Sequence, residues 1–135
     1  MNKPNGQKQQ QMSSTTKQKG DAAEDRALQF LQAHGLHLLH RNYRTPGRGG
    51  GEIDLVMKDA DNTLIFVEVR HRASAQHGGA LASVTRSKQK RIIFAAKYFL
   101  LKLSKTPACR FDVVAVMGSD MQWLKAAFDA DEQRK

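Results

Sequence analysis

Cysteine and tryptophan occur once each and proline three times in 135 residues. A lone thiol, Cys109, closes no disulfide within the chain, so the core alone must hold the fold, and a reducing compartment suits it. No run of about twenty apolar residues exists to span a bilayer. The amino-terminal stretch MNKPNGQKQQQMSSTTKQK is charged and Gln-rich, without the apolar centre of a secretory signal. These absences make a cytoplasmic protein with no membrane span the expectation. Acid is also scarce: that stretch holds four lysines and no Asp or Glu, and the whole chain sets 22 Lys and Arg against 13 Asp and Glu, a formal charge of +9. A polar, low-complexity segment buries too little to offset chain entropy, so residues 1–19 read as a disordered basic tail. Residues 20–130 then form a single domain, for which 40% hydrophobic content is sufficient. The charge excess favours a polyanion, and nucleic acid is the commonest.

Against this basic background, two short runs place acids where they are expensive. In GEIDL the two-residue period of a strand puts Glu52 and Asp54 on one face and Ile53 and Leu55 on the other. In IFVEVR the same rule groups Phe66, Glu68 and Arg70 against Ile65, Val67 and Val69. KDADN between the runs is a turn composition, so a hairpin is expected in which Asp54 and Glu68 lie side by side. Two desolvated carboxylates raise each other's pKa and repel unless something positive separates them. A divalent ion such as Mg²⁺ or Mn²⁺ answers that need with carboxylate oxygens, the Val69 carbonyl, water and phosphate. The alternative is structural: Glu68 and Arg70 as a surface pair, and Asp54 paired with Lys58 or Arg44.

The remaining segments supply cover and cations. In GDAAEDRALQFLQAHGL, Ala23, Ala27, Phe30 and Leu31 recur at helical spacing, with Asp21 as N-cap and Gly35 as C′ residue. Glu24 falls at the margin of that stripe, where it either joins the acids or serves the helix dipole. LHLLHRNYR reads as the first strand, and His34, His37 and His40 match no zinc spacing. The TPGRGGG loop is ringed by Arg41, Arg44 and Arg48; it is either a flexible lead or a backbone surface that approaches phosphate. A helix over residues 85–103 carries Ile92, Ile93, Ala96, Phe99, Leu100 and Leu103 as its apolar stripe, with Arg86, Lys88, Lys90 and Arg91 in its first turns. Cations at a helix N-terminus oppose the macrodipole, an arrangement that anions relieve. An acidic membrane surface would also call on this helix, but a sheet needs the stripe for its cover. CRFDVVAVM is a further strand, with Asp112 expected to partner an arginine, and MQWLKAAF a short closing element in which Trp123 and Phe128 pack the core edge.

The blocks GDAAEDRA, NYR, GGGEIDLV, FVEVR, SVTRSKQKR and RFDVVAV, in this order, resemble the YraN family of small bacterial proteins over nearly the whole chain beyond the tail. That family is similar to the PD-(D/E)XK nuclease-like superfamily, which includes restriction endonucleases and Holliday-junction resolvases. The resemblance implies an α/β fold, a restriction-endonuclease-like mixed β-sheet flanked by helices. It also implies a Mg²⁺- or Mn²⁺-dependent endonuclease site for DNA ahead of RNA, in a monomer or homodimer. It puts the superfamily's acid at Asp54, its Glu at Glu68 and its lysine at Arg70, with Glu24 as the helical acid and Gln89 as the polar residue of the later helix. Arg44, Arg48, Thr85, Arg86, Lys88, Gln89 and Lys90 are the expected nucleic-acid contacts. The departure is Arg70: a guanidinium keeps its proton at working pH, so it orients water or steadies phosphate charge but is no general base.

Overall fold

The computed structural model describes residues 16–72 and 79–131. Helix α1 (Thr16–Ala33) leads into β1 (His37–Arg44), β2 (Glu52–Lys58) and β3 (Leu64–His71). A one-turn helix α2 (Gly79–Ala82) and helix α3 (Arg86–Leu100) follow, then β4 (Cys109–Met117) and β5 (Asp120–Phe128). The strands form one sheet in sequence order, antiparallel except for the β3–β4 step, which is parallel and is bridged by α2 and α3. A parallel step needs such a crossover. The mixed sheet flanked by helices is consistent with a restriction-endonuclease-like architecture.

The two helices cover opposite faces. Ala23, Ala27 and Leu31, four apart on α1, are buried with Leu36, Leu55, Met57, Ile65, Val67, Val114 and Val116. Ile92, Ala95 and Ala96 of α3 are buried with Phe66, Phe111, Val113 and Ala115 on the other side. The alternation expected for IFVEVR and CRFDVVAVM is therefore observed.

Several boundaries differ from expectation. Helix α1 begins at Thr16, so Asp21 lies inside it rather than capping it; the tail's residues 1–15 fall outside the described residues. Its carboxyl end is as expected: Gly35 takes φ +94°, and Leu36 N–H reaches the Leu31 carbonyl at 3.1 Å while Gly35 N–H reaches Gln32 at 3.0 Å. Helix α3 stops at Leu100; the next residues wind down through tighter turn bonds, and Leu103 leaves the stripe, 38% exposed. Thr85 is the α3 cap, its side chain accepting the Lys88 N–H at 3.1 Å. The closing element is a nine-residue strand, kinked where Ala126 takes φ 50°. At that kink the buried Asp112 carboxylate accepts the Ala126 N–H at 2.9 Å, the Trp123 indole at 2.9 Å and Arg110 Nε at 3.0 Å. The expected arginine partner of Asp112 is Arg110. Trp123 packs against the α1-side core and Phe128 stacks on Phe111 at 5.1 Å. Among the described residues no helix is long and apolar enough to cross a membrane.

Candidate functional site

The site forms where the β2–β3 hairpin stops being a ladder. Pairing runs from Lys58–Leu64 to Leu55–Val67 and goes no further. One step on, Asp54 turns its carboxylate into the gap and Oδ2 accepts the Val69 N–H at 2.8 Å, the bond a β2 carbonyl would otherwise make. In an extended strand the N–H and C=O of one residue point the same way, so the Val69 carbonyl faces this gap too.

A break in side-chain alternation turns Asp54 there. Ile53 packs on the α3 side with Tyr43, whereas Leu55 packs on the α1 side, so the expectation that Ile53 and Leu55 share a face fails at Asp54. Across from it on β1, between the pairs Arg41–Leu55 and Tyr43–Ile53, Asn42 has φ 55°. A non-glycine residue in the left-handed region is a local backbone distortion. Here it lets both strands switch faces and aims Asp54 along the sheet.

Glu68 sits on the neighbouring strand with its side chain only 3% exposed, close enough for its charge to act on the Asp54 carboxyl. Burial, then the charge of Glu68, raises Asp54 to about 7; burial likewise raises Glu68, against the pull of Lys88 and Arg70. Glu68 Oε1 is a buried oxygen with no donor among the described residues.

Two cations border the pair. Arg70 Nη1 lies 3.2 Å and Lys88 Nζ 3.8 Å from Glu68 Oε2, and Lys88 also meets Glu52 Oε2 at 3.6 Å. The Glu68–Arg70 pair therefore exists but is built on a buried acid, not a surface one. Asp54 takes neither Lys58 nor Arg44; Arg44 pairs with Glu52 at 3.8 Å. Glu24 comes near enough for the Asp54 charge to help burial raise its pKa. It is nonetheless occupied: Arg41 Nε holds it at 3.1 Å, and Asn42, with its amide nitrogen turned inward, donates to both its oxygens at 3.3 Å. Among the described residues no three His, Cys, Asp or Glu side chains converge as a metal cluster.

The donor set nevertheless fits one hard divalent ion. Mg²⁺ binds through one or two carboxylates plus water and substrate phosphate, without needing a third protein acid. Asp54, the donor-less oxygen of Glu68 and the Val69 carbonyl are the groups that would hold it. Of the other residues read from the sequence, Arg44, Arg48, Thr85, Arg86 and Lys90 are exposed on the glycine loop and the start of α3. Gln89 is turned inward, its Nε2 donating to the Val84 carbonyl at 3.0 Å. His34 contacts the Phe30 carbonyl, and His40 lies edge-on to Tyr43 at 5.2 Å. Sequence reasoning missed the parts of Glu52, Arg41 and Asn42, and gave Lys88 only a phosphate contact. The Thr-x-x-Lys spacing fixes Lys88 in the first turn of α3, yet nothing local says which strand that turn meets.

A five-stranded mixed sheet flanked by helices, whose β2–β3 hairpin parts beside Asp54 and Glu68, is an α/β domain consistent with a restriction-endonuclease-like fold. The profile described as "Uncharacterised protein family UPF0102" matches residues 23–116, and the chain belongs to that family. It is 62% identical over 116 residues to a UPF0102 protein of Albidiferax ferrireducens, covering 86% of this chain and 91% of that one. It is also 62% identical over 117 residues to that of Paracidovorax citrulli, covering 87% of each. Against a Polaromonas sp. UPF0102 protein it is 54% identical over 136 residues, covering 94% and 91%.

Proposed function

We propose that this protein binds nucleic acid, DNA ahead of RNA, and hydrolyses phosphodiester bonds at the Asp54–Glu68 pair with Mg²⁺ or Mn²⁺. The observation that carries this reading is a half-buried Asp54 turned into the gap between parting strands beside a buried Glu68, one of whose oxygens is left without a donor. Asp54, Glu68 and the Val69 carbonyl would hold the ion. When bound, it supplies an acidified water and neutralises charge building on the phosphate. Burial and mutual charge make the pair hold a proton that the ion would have to displace, so activity should rise with pH as that proton is lost. Arg70 steadies the phosphoryl oxygens as a fixed charge. Lys88 stands at the same Glu68 oxygen as a second cation. Glu24 braces the outer side through Arg41. The exposed cations of the glycine loop and α3 hold the strand.

A cleavage assay on duplex, branched and single-stranded substrates, with Mg²⁺ and with Mn²⁺, tests this. Cutting that disappears in Asp54→Asn and Glu68→Gln supports the site. Cutting indifferent to Asp54→Asn defeats it. A second reading, a binding module without turnover, is favoured by Arg70 standing where the resemblance places a lysine. It expects salt-sensitive DNA binding alongside no Mn²⁺ uptake and no cleavage.

A further inference from the structure

Next to the acid pair the glycine loop and α3 border an open cavity of about 350 Å³, walled by Arg44, Glu52, Arg91 and the backbone of the loop. The loop is built, not slack. Thr45 N–H donates to the Gly51 carbonyl at 3.1 Å, and Gly51 N–H donates to Thr45 Oγ1 at 2.8 Å, which closes the intervening turn. A Cβ on Gly51 would stand 1.9 Å from the Arg91 carbonyl oxygen, so the loop lies directly on the α3 backbone. Gly47 and Gly49 take φ +83° and +68°, angles that other residues rarely adopt. Among the described residues the N–H groups of Gly47, Gly49 and Gly50 take no protein acceptor, and Arg91, which is exposed, makes no ion pair.

Such a wall suits a single oxyanion. No aromatic or large apolar side chain lines it, so nothing there would stack or read a base. Glu52 is the one acid in the lining, and Arg44 at 3.8 Å and Lys88 at 3.6 Å both face it. An entering anion therefore meets two guanidiniums and free backbone N–H groups over a neutralised carboxylate, the combination that binds phosphate. The cavity also has a fixed place relative to the chemistry. Lys88 touches Glu52 on the cavity side and Glu68 on the site side, so one ammonium separates the two.

We infer that this cavity seats a backbone phosphate of the bound strand, next along from the phosphodiester presented to Asp54 and Glu68, and so sets where the strand lies in the site. The inference deepens the proposed function and rests on it. The contact is independent of sequence, because only phosphate oxygens are engaged.

The test uses the full chain in EDTA, so that binding is measured without cleavage. Anisotropy of a fluorescein-labelled duplex is followed across a salt series for wild type, Arg91→Gln and Lys105→Gln, the last an exposed lysine beyond α3. Arg91→Gln is expected to weaken binding about 5- to 10-fold and to lower the log–log salt slope by about one, with Lys105→Gln within about twofold of wild type. In parallel, the Gly47, Gly49 and Gly50 amide signals are followed while a thymidine dinucleotide monophosphate or inorganic phosphate is added. Movement with the dinucleotide supports the seat; movement with inorganic phosphate alone assigns the cavity to a free anion and overturns it. Wild-type affinity and slope in Arg91→Gln overturn the seat while leaving the functional reading standing. A wild-type chain that binds no duplex sinks that reading, and the seat with it.

Discussion

Asp54 and Val69 are joined by a 2.8 Å hydrogen bond that replaces a rung of the sheet: a side-chain oxygen of β2 takes the N–H that a β2 carbonyl would have taken. The strands part at that rung, and the parting creates a gap edged by two carboxylates and a backbone carbonyl. The sheet thus supplies the acids with their position and shields Glu68 from water.

Stability should fall as pH rises through the site's titration. The unfolded Asp54 carboxyl ionises near 3.8, the native one near 7, so between these values the native state holds the extra proton and loses ground with each unit of pH. Wild type should therefore lose roughly 2 to 4 kcal/mol relative to Asp54→Asn between pH 4 and pH 7, with no further divergence above. Urea unfolding of both chains at a series of pH values measures this, and parallel curves would refute it.

Above pH 7, Asp54→Asn should be the more stable chain. The amide oxygen still accepts the Val69 N–H, the amide nitrogen donates to Glu68, and no second charge is buried. A midpoint shift upward by several degrees at pH 8 is expected in a thermal melt, together with loss of metal-dependent activity; a downward shift would contradict it.

Removing the acid far from the site should have the opposite outcome. Asp112 is fully buried and holds three donors, so Asp112→Ala strands the Trp123 indole and the Ala126 N–H and leaves Arg110 with Asp59 at 3.6 Å. A loss of about 3 to 5 kcal/mol is expected by chemical denaturation. A loss below about 1 kcal/mol would mean that water replaces the carboxylate at the β5 kink.

Lys88→Gln removes the ammonium shared by Glu52 and Glu68. Glu68 then loses one of the cations that pull its pKa down, so its titration should move upward, readable by carboxyl carbon NMR. Cleavage should fall by at least about tenfold, since a charge at the reacting phosphate is lost. Unchanged titration and unchanged cleavage would place Lys88 outside the site.

Much of this was legible in the sequence because alternating strands and a capped, striped helix write their faces into residue order. Asp54, Glu68 and Arg70 could be placed together from two-residue periodicity and a turn between them. The break at Asp54 could not, because it depends on Asn42 adopting a left-handed angle on a different strand. The bracing of Glu24 by Arg41 is likewise a contact between a helix and a strand edge, and neither residue announces the other. Lys88 reads as one more surface cation until the packing of α3 on β2 and β3 brings it to Glu68. The strand at Asp120–Phe128 was hidden by MQWLKAAF, whose Ala and Lys residues lack strand character and which pairs only because β4 offers it an edge.

The most direct measurement is Mn²⁺ titration by calorimetry at pH 7.5, paired with anomalous diffraction from Mn²⁺-soaked crystals, for wild type, Asp54→Asn and Glu68→Gln. One ion per chain, lying between the Asp54 and Glu68 carboxylates and lost from both variants, is the expected result. No uptake by wild type, or an ion retained in both variants, would contradict a metal-dependent site at this pair.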